Sequence, residues 1–217
     1  MRGSCTSYCF EMCDGACLPQ PQKKYRTIVA DPPWPYVNRE NGDYDVIAKS
    51  LVKDGTRLQR SVREMGYRSM EMADIVAIRL PADKNAHLYL WTTNAFMDEA
   101  HDVARAWGFA PKTILTWVKT HQDDTARVSR KTGYYFRGAT EHVIFAVRGS
   151  LALQTREALP TAFLWPRAPH SVKPDAFYDL VEQASPPPRL ELFARTQRLG
   201  WDSWGNEALC HVTLEAP

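Results

Sequence analysis

The chain has 217 residues, 44% of them hydrophobic and 24% charged, with a formal net charge of +2. That length and apolar content fit one α/β domain with a real core and exclude intrinsic disorder. The near balance of charge excludes a broad electrostatic nucleic-acid binder, so any nucleic-acid contact is expected to be local. No run approaches the ~20 apolar residues of a membrane span.

Residues 1–24 read as an N-terminal extension, expected to be weakly ordered, that ends in the linker-like Pro19-Gln20-Pro21-Gln22-Lys23-Lys24. Within it Cys5, Cys9, Cys13 and Cys17 recur every four residues. On a helix they would share one slowly drifting face, a pattern open to a metal or iron–sulfur site. Zinc sites use C-x2-4-C pairs split by a longer loop, so the reading favours chance spacing and no metal. The start carries one arginine and no apolar stretch, unlike a signal peptide. An intracellular, cytoplasmic protein without a membrane partner is expected.

Residues 25–217 read as one domain. Thr27-Ile28-Val29-Ala30 is a short apolar run, expected to be a buried parallel strand. Pro32 and Pro33 end it, because proline cannot continue a central strand. Asp31 therefore stands at a carboxyl end, where ligands bind in open α/β sheets. An ionised Asp31 only accepts hydrogen bonds, and the prolines offer no N–H. Their carbonyls are expected to face outward beside a flat aromatic, Trp34. Such a corner suits an –NH2 group on a planar ring. Acceptors that pull its hydrogens out of plane would leave the nitrogen lone pair aimed at a methyl donor, which is catalysis by orientation and electrostatics. Taken alone, the same four residues read equally well as a Pro-rich turn.

Residues 37–68 form a polar excursion with Arg57, Arg60, Arg63 and Arg68 against Glu64. They read either as a solvated helical face or as a lid that contacts phosphate. Ser69 is placed to cap a helix through about Arg79, with Met72, Ile75 and Val76 inward. His87–Trp91 is the next strand. Asn94 is placed to cap a helix whose Phe96, Ala100, Val103, Ala104 and Trp107 keep helical spacing, and Gly108 ends it. Ile114–Val118 is another strand, and the β-α-β-α-β alternation implies a parallel sheet with covering helices.

Residues 119–137 interleave Lys119, Arg127, Arg130, Lys131 and Arg137 with Tyr134-Tyr135-Phe136. Basic and aromatic residues together are a nucleic-acid signal. Glu141–Val147 is a strand, expected to pair antiparallel with Ile114–Val118 at the sheet edge. Glu141 and His142 are read as structural. Residues 149–172 read as irregular. Pro174 is expected at the first helical position, with Phe177, Leu180, Val181 and Ala184 inward and Ser185-Pro186-Pro187-Pro188 as the stop. Leu190–Ala194 is the last strand and ends at Arg195. Residues 200–207 read as a tight loop before a short C-terminal helix.

In chain order, Asp31-Pro32-Pro33-Trp34, Tyr67-Arg68-Ser69-Met70, Leu88-Tyr89-Leu90-Trp91-Thr92-Thr93, Trp117-Val118-Lys119-Thr120, Glu141-His142, His170-Ser171-Val172-Lys173-Pro174, Glu191-Leu192-Phe193-Ala194-Arg195 and Trp204-Gly205-Asn206-Glu207 resemble the mRNA N6-adenosine methyltransferase family, the "methyltransferase A, seventy" group. That group also holds bacterial and phage DNA adenine methyltransferases, and the chain looks more like these compact members. The resemblance implies a Rossmann-like methyltransferase fold, permuted so that the catalytic motif precedes the cofactor-binding motifs, with helices on both faces of a mostly parallel sheet. It implies S-adenosylmethionine as cofactor and transfer of its methyl to the N6 amine of adenine, with DNA slightly ahead of RNA as the polymer.

Residue by residue, it implies that Asp31 contacts the target amine and lies near the donor's amino group. Pro32 and Pro33 shape the amine site. Trp34 and Tyr67 flank the base, and Tyr36, Arg130, Lys131 and Tyr134 join them as substrate-binding candidates. Lys173 pairs with the donor carboxylate, Arg195 and Asn206 hold its ribose, and Glu207 contacts ribose or adenine. Relatives carry His-Asn just after the arginine, where this chain has Gln197-Arg198. Adenine-containing nucleic acid is the expected partner, and a homodimer or heterodimer is compatible with the family. Two alternatives stay open: a noncatalytic partner subunit, and an enzyme acting on cytosine N4 or a protein glutamine amide.

Overall fold

The structure, a computed structural model, describes residues 23–35, 69–130, 135–167, 172–205, 208, 210–212 and 214. In chain order the elements are β1 (Tyr25–Ala30), α1 (Met72–Ala77), β2 (Ala82–Thr92), α2 (Met97–Ala106), β3 (Ala110–Thr120), β4 (Thr140–Arg148), β5 (Ala162–Pro166), α3 (Asp175–Ala184), β6 (Arg189–Leu192) and β7 (Trp201–Trp204). A single 3-10 turn, Asn94–Phe96, leads into α2. The strands join in one sheet in the order β5-β3-β4-β2-β1-β6-β7. Among the described strands only β4 runs against its neighbours; the other strand pairings are parallel.

Side chains alternate across a strand, and here the alternation divides the core in two. Ile28, Ala30, Leu88, Leu90, Ile144, Ala146, Leu190 and Leu192 lie on one side, with Ile75 of α1 and Ala100, Val103 and Ala104 of α2. The residues between them, Val29, Tyr89, Trp91, Trp117 and Val143, lie on the other, with Phe177, Tyr178 and Val181 of α3. Helices thus cover both faces, as expected of a doubly wound α/β sheet. The central strands carry apolar residues at both parities, which is why they read as unbroken apolar runs.

Three polar side chains on the α3 face are satisfied in a chain. His87 is fully buried, with Nδ1 2.7 Å from Ser185 Oγ and Nε2 3.0 Å from the Leu151 carbonyl. Burial lowers the pKa of this imidazole. A neutral ring with its proton on Nε2 donates to Leu151 and accepts from Ser185, which in turn can accept from Tyr89 Oη at 2.8 Å. The network fixes the stop after α3 against β2.

Several expectations are corrected. α1 is only six residues, begins after Glu71 without a side-chain cap bond, and leaves Val76 38% exposed. A helix of under two turns has little inward edge; Ile75 fills it with the partly buried Met72, as expected, and Val76 falls outside it. Asn94 makes no cap bond; its Oδ1 lies 2.6 Å from His142 Nε2. Pro174 is the N-cap of α3, one position earlier than expected. The β3–β4 pair is antiparallel as expected, yet it lies inside the sheet, because β5 adds to β3 as the edge. β5 and β7 replace segments read as irregular. Both are short; Trp201-Asp202-Ser203-Trp204 is half polar, and Ala162–Pro166, though apolar, ends in proline and lies alternately exposed at the sheet edge. Among the described residues after Gly205 there is no helix. The cysteines of the extension and residues 37–68 lie outside the described residues.

Candidate active site

Asp31 follows β1 on the α3 side, because Val29 two residues earlier faces α3. The same alternation sends Lys119 there from Trp117 on β3, and Glu141 there from Val143 on β4. Lys173, two residues before α3, completes the set. Its Nζ lies 3.0 Å from Asp31 Oδ2 and 3.0 Å from Glu141 Oε2. Glu141 Oε1 in turn holds Lys119 Nζ in a close ion pair. The result is an alternating row, Asp31–Lys173–Glu141–Lys119, at one end of the sheet. Each ammonium also lies over an indole, Lys173 at 4.5 Å from the Trp91 ring centre and Lys119 at 4.6 Å from that of Trp117.

Alternation keeps the two middle members, Lys173 and Glu141, charged. Burial alone would lower the Lys173 pKa, but Asp31 and Glu141 outweigh it and hold it at about 12. Burial would raise Glu141, yet Lys173 and Lys119 bring it down to about 2. The Asp31 side chain, 32% exposed against 12% for Lys173, is the end of the row that an incoming group can reach.

The prolines do less than expected as free acceptors. The Pro32 carbonyl accepts from Trp34 N–H at 2.9 Å, and that of Pro33 accepts from Met70 N–H at 2.9 Å. Each keeps one lone pair, but neither faces outward unopposed. Trp34 departs further from expectation. It is 3% exposed, stacked on Phe96 at 5.6 Å, with its indole N–H donating to the Trp91 carbonyl at 3.1 Å. As placed, its ring faces the α2 core rather than a bound base. Trp34 anchors the turn that aims Asp31 the other way.

The opposite wall comes from the far end of the chain. After β6, Phe193 has φ +61°, the left-handed region that a bulky residue rarely enters. Its neighbour Ala194 donates to the Trp204 carbonyl at 3.0 Å. Gly205 lies so close that an added Cβ would be 2.2 Å from the Ala194 oxygen. This bend turns the chain at Arg195 toward the cleft. An open cleft lies here, lined by Asp31, Trp91, Lys173, Glu191, Arg195 and Arg198 among others.

Of the sequence-derived candidates, Asp31, Lys173 and Arg195 meet at this cavity. Lys173, expected at a donor carboxylate, instead bridges two protein carboxylates. Arg130 is exposed on the β3–β4 connection and is not among the residues lining the cavity. Tyr36, Tyr67, Lys131, Tyr134, Asn206 and Glu207 lie outside the described residues. The sequence reading missed Glu141 as a site residue, along with Lys119, Tyr178, Glu191 and Arg198. One signal could have found Glu141: it keeps the parity of Val143 and so must face α3.

Among the described residues, no group of three or more His, Cys, Asp or Glu side chains is arranged to hold a metal, and no helix is long and apolar enough to cross a membrane. A cavity carrying carboxylates, cations and an indole wall fits S-adenosylmethionine, which combines a zwitterionic end with a cationic sulfur and an aromatic base.

A mostly parallel sheet, helices on both faces and a charged cleft at the carboxyl end of β1 define a Rossmann-like methyltransferase. Residues 25–207 match the MT-A70 family, and the chain belongs to it. The type II methyltransferase M.MunI of Mycoplasma is 29% identical over 196 residues, 86% of this chain and 79% of that protein. The human METTL3 catalytic subunit of N(6)-adenosine-methyltransferase is 23% identical over 188 residues, 85% of this chain. The Drosophila MT-A70-like N(6)-adenosine-methyltransferase is 26% identical over 188 residues. The chain spans only about a quarter of these two proteins, 28% and 27% respectively.

Proposed function

We propose that this chain transfers a methyl group from S-adenosylmethionine to the N6 amine of adenine in nucleic acid, with DNA as the favoured polymer. The observation that carries the reading is Asp31, held at a strand end by Lys173 and opening on a cleft that Arg195 also lines. When bound, the donor supplies an electrophilic methyl. Every other contribution is the chain's own. Asp31 and the remaining lone pair of the Pro32 carbonyl accept the two amine hydrogens and orient the nitrogen. As the amine becomes cationic, the nearby carboxylate stabilises the developing charge. A proton must then leave, and Asp31 is the acceptor within reach. Glu141 and Lys119 hold Lys173 so that Asp31 keeps one orientation. Arg195 lies on the wall where the ribose is expected.

DNA is favoured because the match to M.MunI covers most of both chains, whereas METTL3 extends well beyond the matched part. Transfer of tritiated methyl to DNA and RNA oligonucleotides, followed by mass spectrometry of the product nucleosides, tests this. N6-methyladenine in DNA, lost in Asp31→Ala, is the expected result. Absence of transfer to every adenine-containing strand would refute it, and N4-methylcytosine would reassign the acceptor.

A further inference from the structure

The mechanism above uses both hydrogens of the adenine amine, one for Asp31 and one for the Pro32 carbonyl. In a base pair thymine already holds one of them. Asp31 is also recessed, its side chain only 32% exposed. An adenine in a duplex must therefore leave the stack to reach it. Extrusion leaves a gap between the neighbouring base pairs, whose faces are apolar and gain nothing from water. A flat apolar side chain placed at the rim of the cleft would fill that gap.

One such side chain stands at the right end of the sheet. β3 and β2 both run against β4, and β2 runs with β1. The β3–β4 connection therefore leaves the sheet at the same end as Asp31. Both its arms are pinned at Lys119, whose N–H donates to the Ala139 carbonyl at 2.8 Å and whose carbonyl accepts from Ser129 N–H at 2.7 Å. The side chain of the same lysine belongs to the row that ends in Asp31. Phe136 lies three residues before Ala139, within ~10 Å of chain from the pin. It is 91% exposed. A Cβ added at Gly138 would meet nothing within 4 Å, so this arm stands clear of the described core. Arg127, Arg130 and Arg137 on the same connection are exposed too and offer charge to phosphates. A lone exposed apolar residue is ordinary. The placement distinguishes Phe136: a pinned connection, among arginines, at the end of the sheet where the base must arrive.

We propose that Phe136 is a wedge for duplex DNA, entering the stack at the place vacated by the target adenine while the neighbouring arginines hold the flanking phosphates. The inference rests on the methyl-transfer reading above and adds to it the strand state of the substrate. Phe136 touches none of the reacting atoms and is a positioning residue. It supplies the aromatic contact to nucleic acid that Trp34, buried against Phe96, does not. Every base offers an apolar face for stacking, so Phe136 governs access to the adenine and not the choice of sequence.

Initial rates of methyl transfer by the full chain to a single-stranded circular DNA and to the duplex form of the same sequence, both free of N6-methyladenine, test the assignment. Phe136→Ala is expected to lower the ratio of duplex to single-strand rate by about tenfold or more, the loss of one base–aromatic stack. Phe136→Trp should keep that ratio within about threefold of wild type, because an indole stacks as well. Melting temperature and the mass from light scattering should match wild type in both variants, since the ring is exposed. The proposal is overturned if Phe136→Ala leaves the ratio within about twofold of wild type, if it slows both forms equally, or if the wild type methylates only the single strand. A changed mass in Phe136→Ala also overturns it, because the ring would then belong to a contact between subunits. A wild-type chain that methylates neither form overturns the DNA reading itself.

Discussion

The two faces of the sheet are made by the same strands and the same alternation, yet they are built for different work. On the α1/α2 face Ile28, Leu88, Leu90, Ile144 and Leu190 are wholly buried against Ile75, Ala100 and Val103. Small alanines let α2 approach closely, and the layer is apolar throughout. On the α3 face aromatic residues replace the aliphatic ones, and charges replace the aromatics toward the carboxyl ends of the parallel strands. Trp91 packs on Phe177 at 4.6 Å and also carries Lys173 over its ring. Indoles tolerate this boundary, because a large apolar ring also attracts a cation. A face filled with leucine would leave the same ammonium groups without that support.

The difference can be broken most severely at Asp31. Asp31→Ala removes the group on which the α3 face converges, and methyl transfer is expected to fall by at least about 100-fold. Thermal unfolding should change little, since the side chain is partly exposed. Radiolabel transfer and a melting curve, taken on the same preparation, separate the two effects.

Glu141→Gln tests whether the row of charges is structural as well as chemical. It leaves Lys119 and Lys173 without their shared carboxylate, and removing one partner of a buried pair costs about 3–5 kcal/mol. Urea denaturation measures it; a cost below about 1 kcal/mol would mean that solvent screens the row.

The pH dependence of that cost follows from the two shifted groups. Glu141 titrates lower in the fold, about 2 against an ordinary 4.5, so its contribution is complete above the ordinary value and fades as pH falls toward 2. Lys173 titrates higher, about 12 against 10.5, so its contribution is complete below 10.5 and is lost as pH rises through 12. The stability gap between wild type and Glu141→Gln is therefore expected to be flat from about pH 5 to 10 and to narrow on the acid side. A gap that varies across the neutral range would contradict the assignment.

The smallest effect is expected on the other face. Ile144→Val removes one methyl from a fully buried position and should cost about 1 kcal/mol, with no change in the affinity for S-adenosylhomocysteine. A change in that affinity would mean that the two faces are coupled through β4.

Much of the fold is legible in the sequence because periodicity is a local property. β1, β2, the core of α2 and the stop at Ser185 follow from the spacing of apolar residues and from proline and glycine. Asp31 can be placed at a strand end from the order of residues alone, since Pro32 and Pro33 terminate β1 by covalent geometry. Short elements are harder. β7 draws its stability from a neighbouring strand rather than from an apolar run of its own, so its residues carry little signal, and β5 is apolar but only five residues long and closed by a proline. Trp34 illustrates a different failure: its chemistry suits a bound base as well as a core, and only the position of Phe96 decides between them.

The sequence by itself determined which residues alternate, where strands and helices stop, and that an acidic side chain follows β1. Tertiary structure alone decided the partners. Lys173 reaches Asp31 across more than half the chain, and Glu141 meets Lys119 only because β3 and β4 pair in the register Trp117↔Glu141. The physical reason is that a period is set by the chain's own geometry, whereas register is set by whatever the neighbouring strand presents. The site is made of registers.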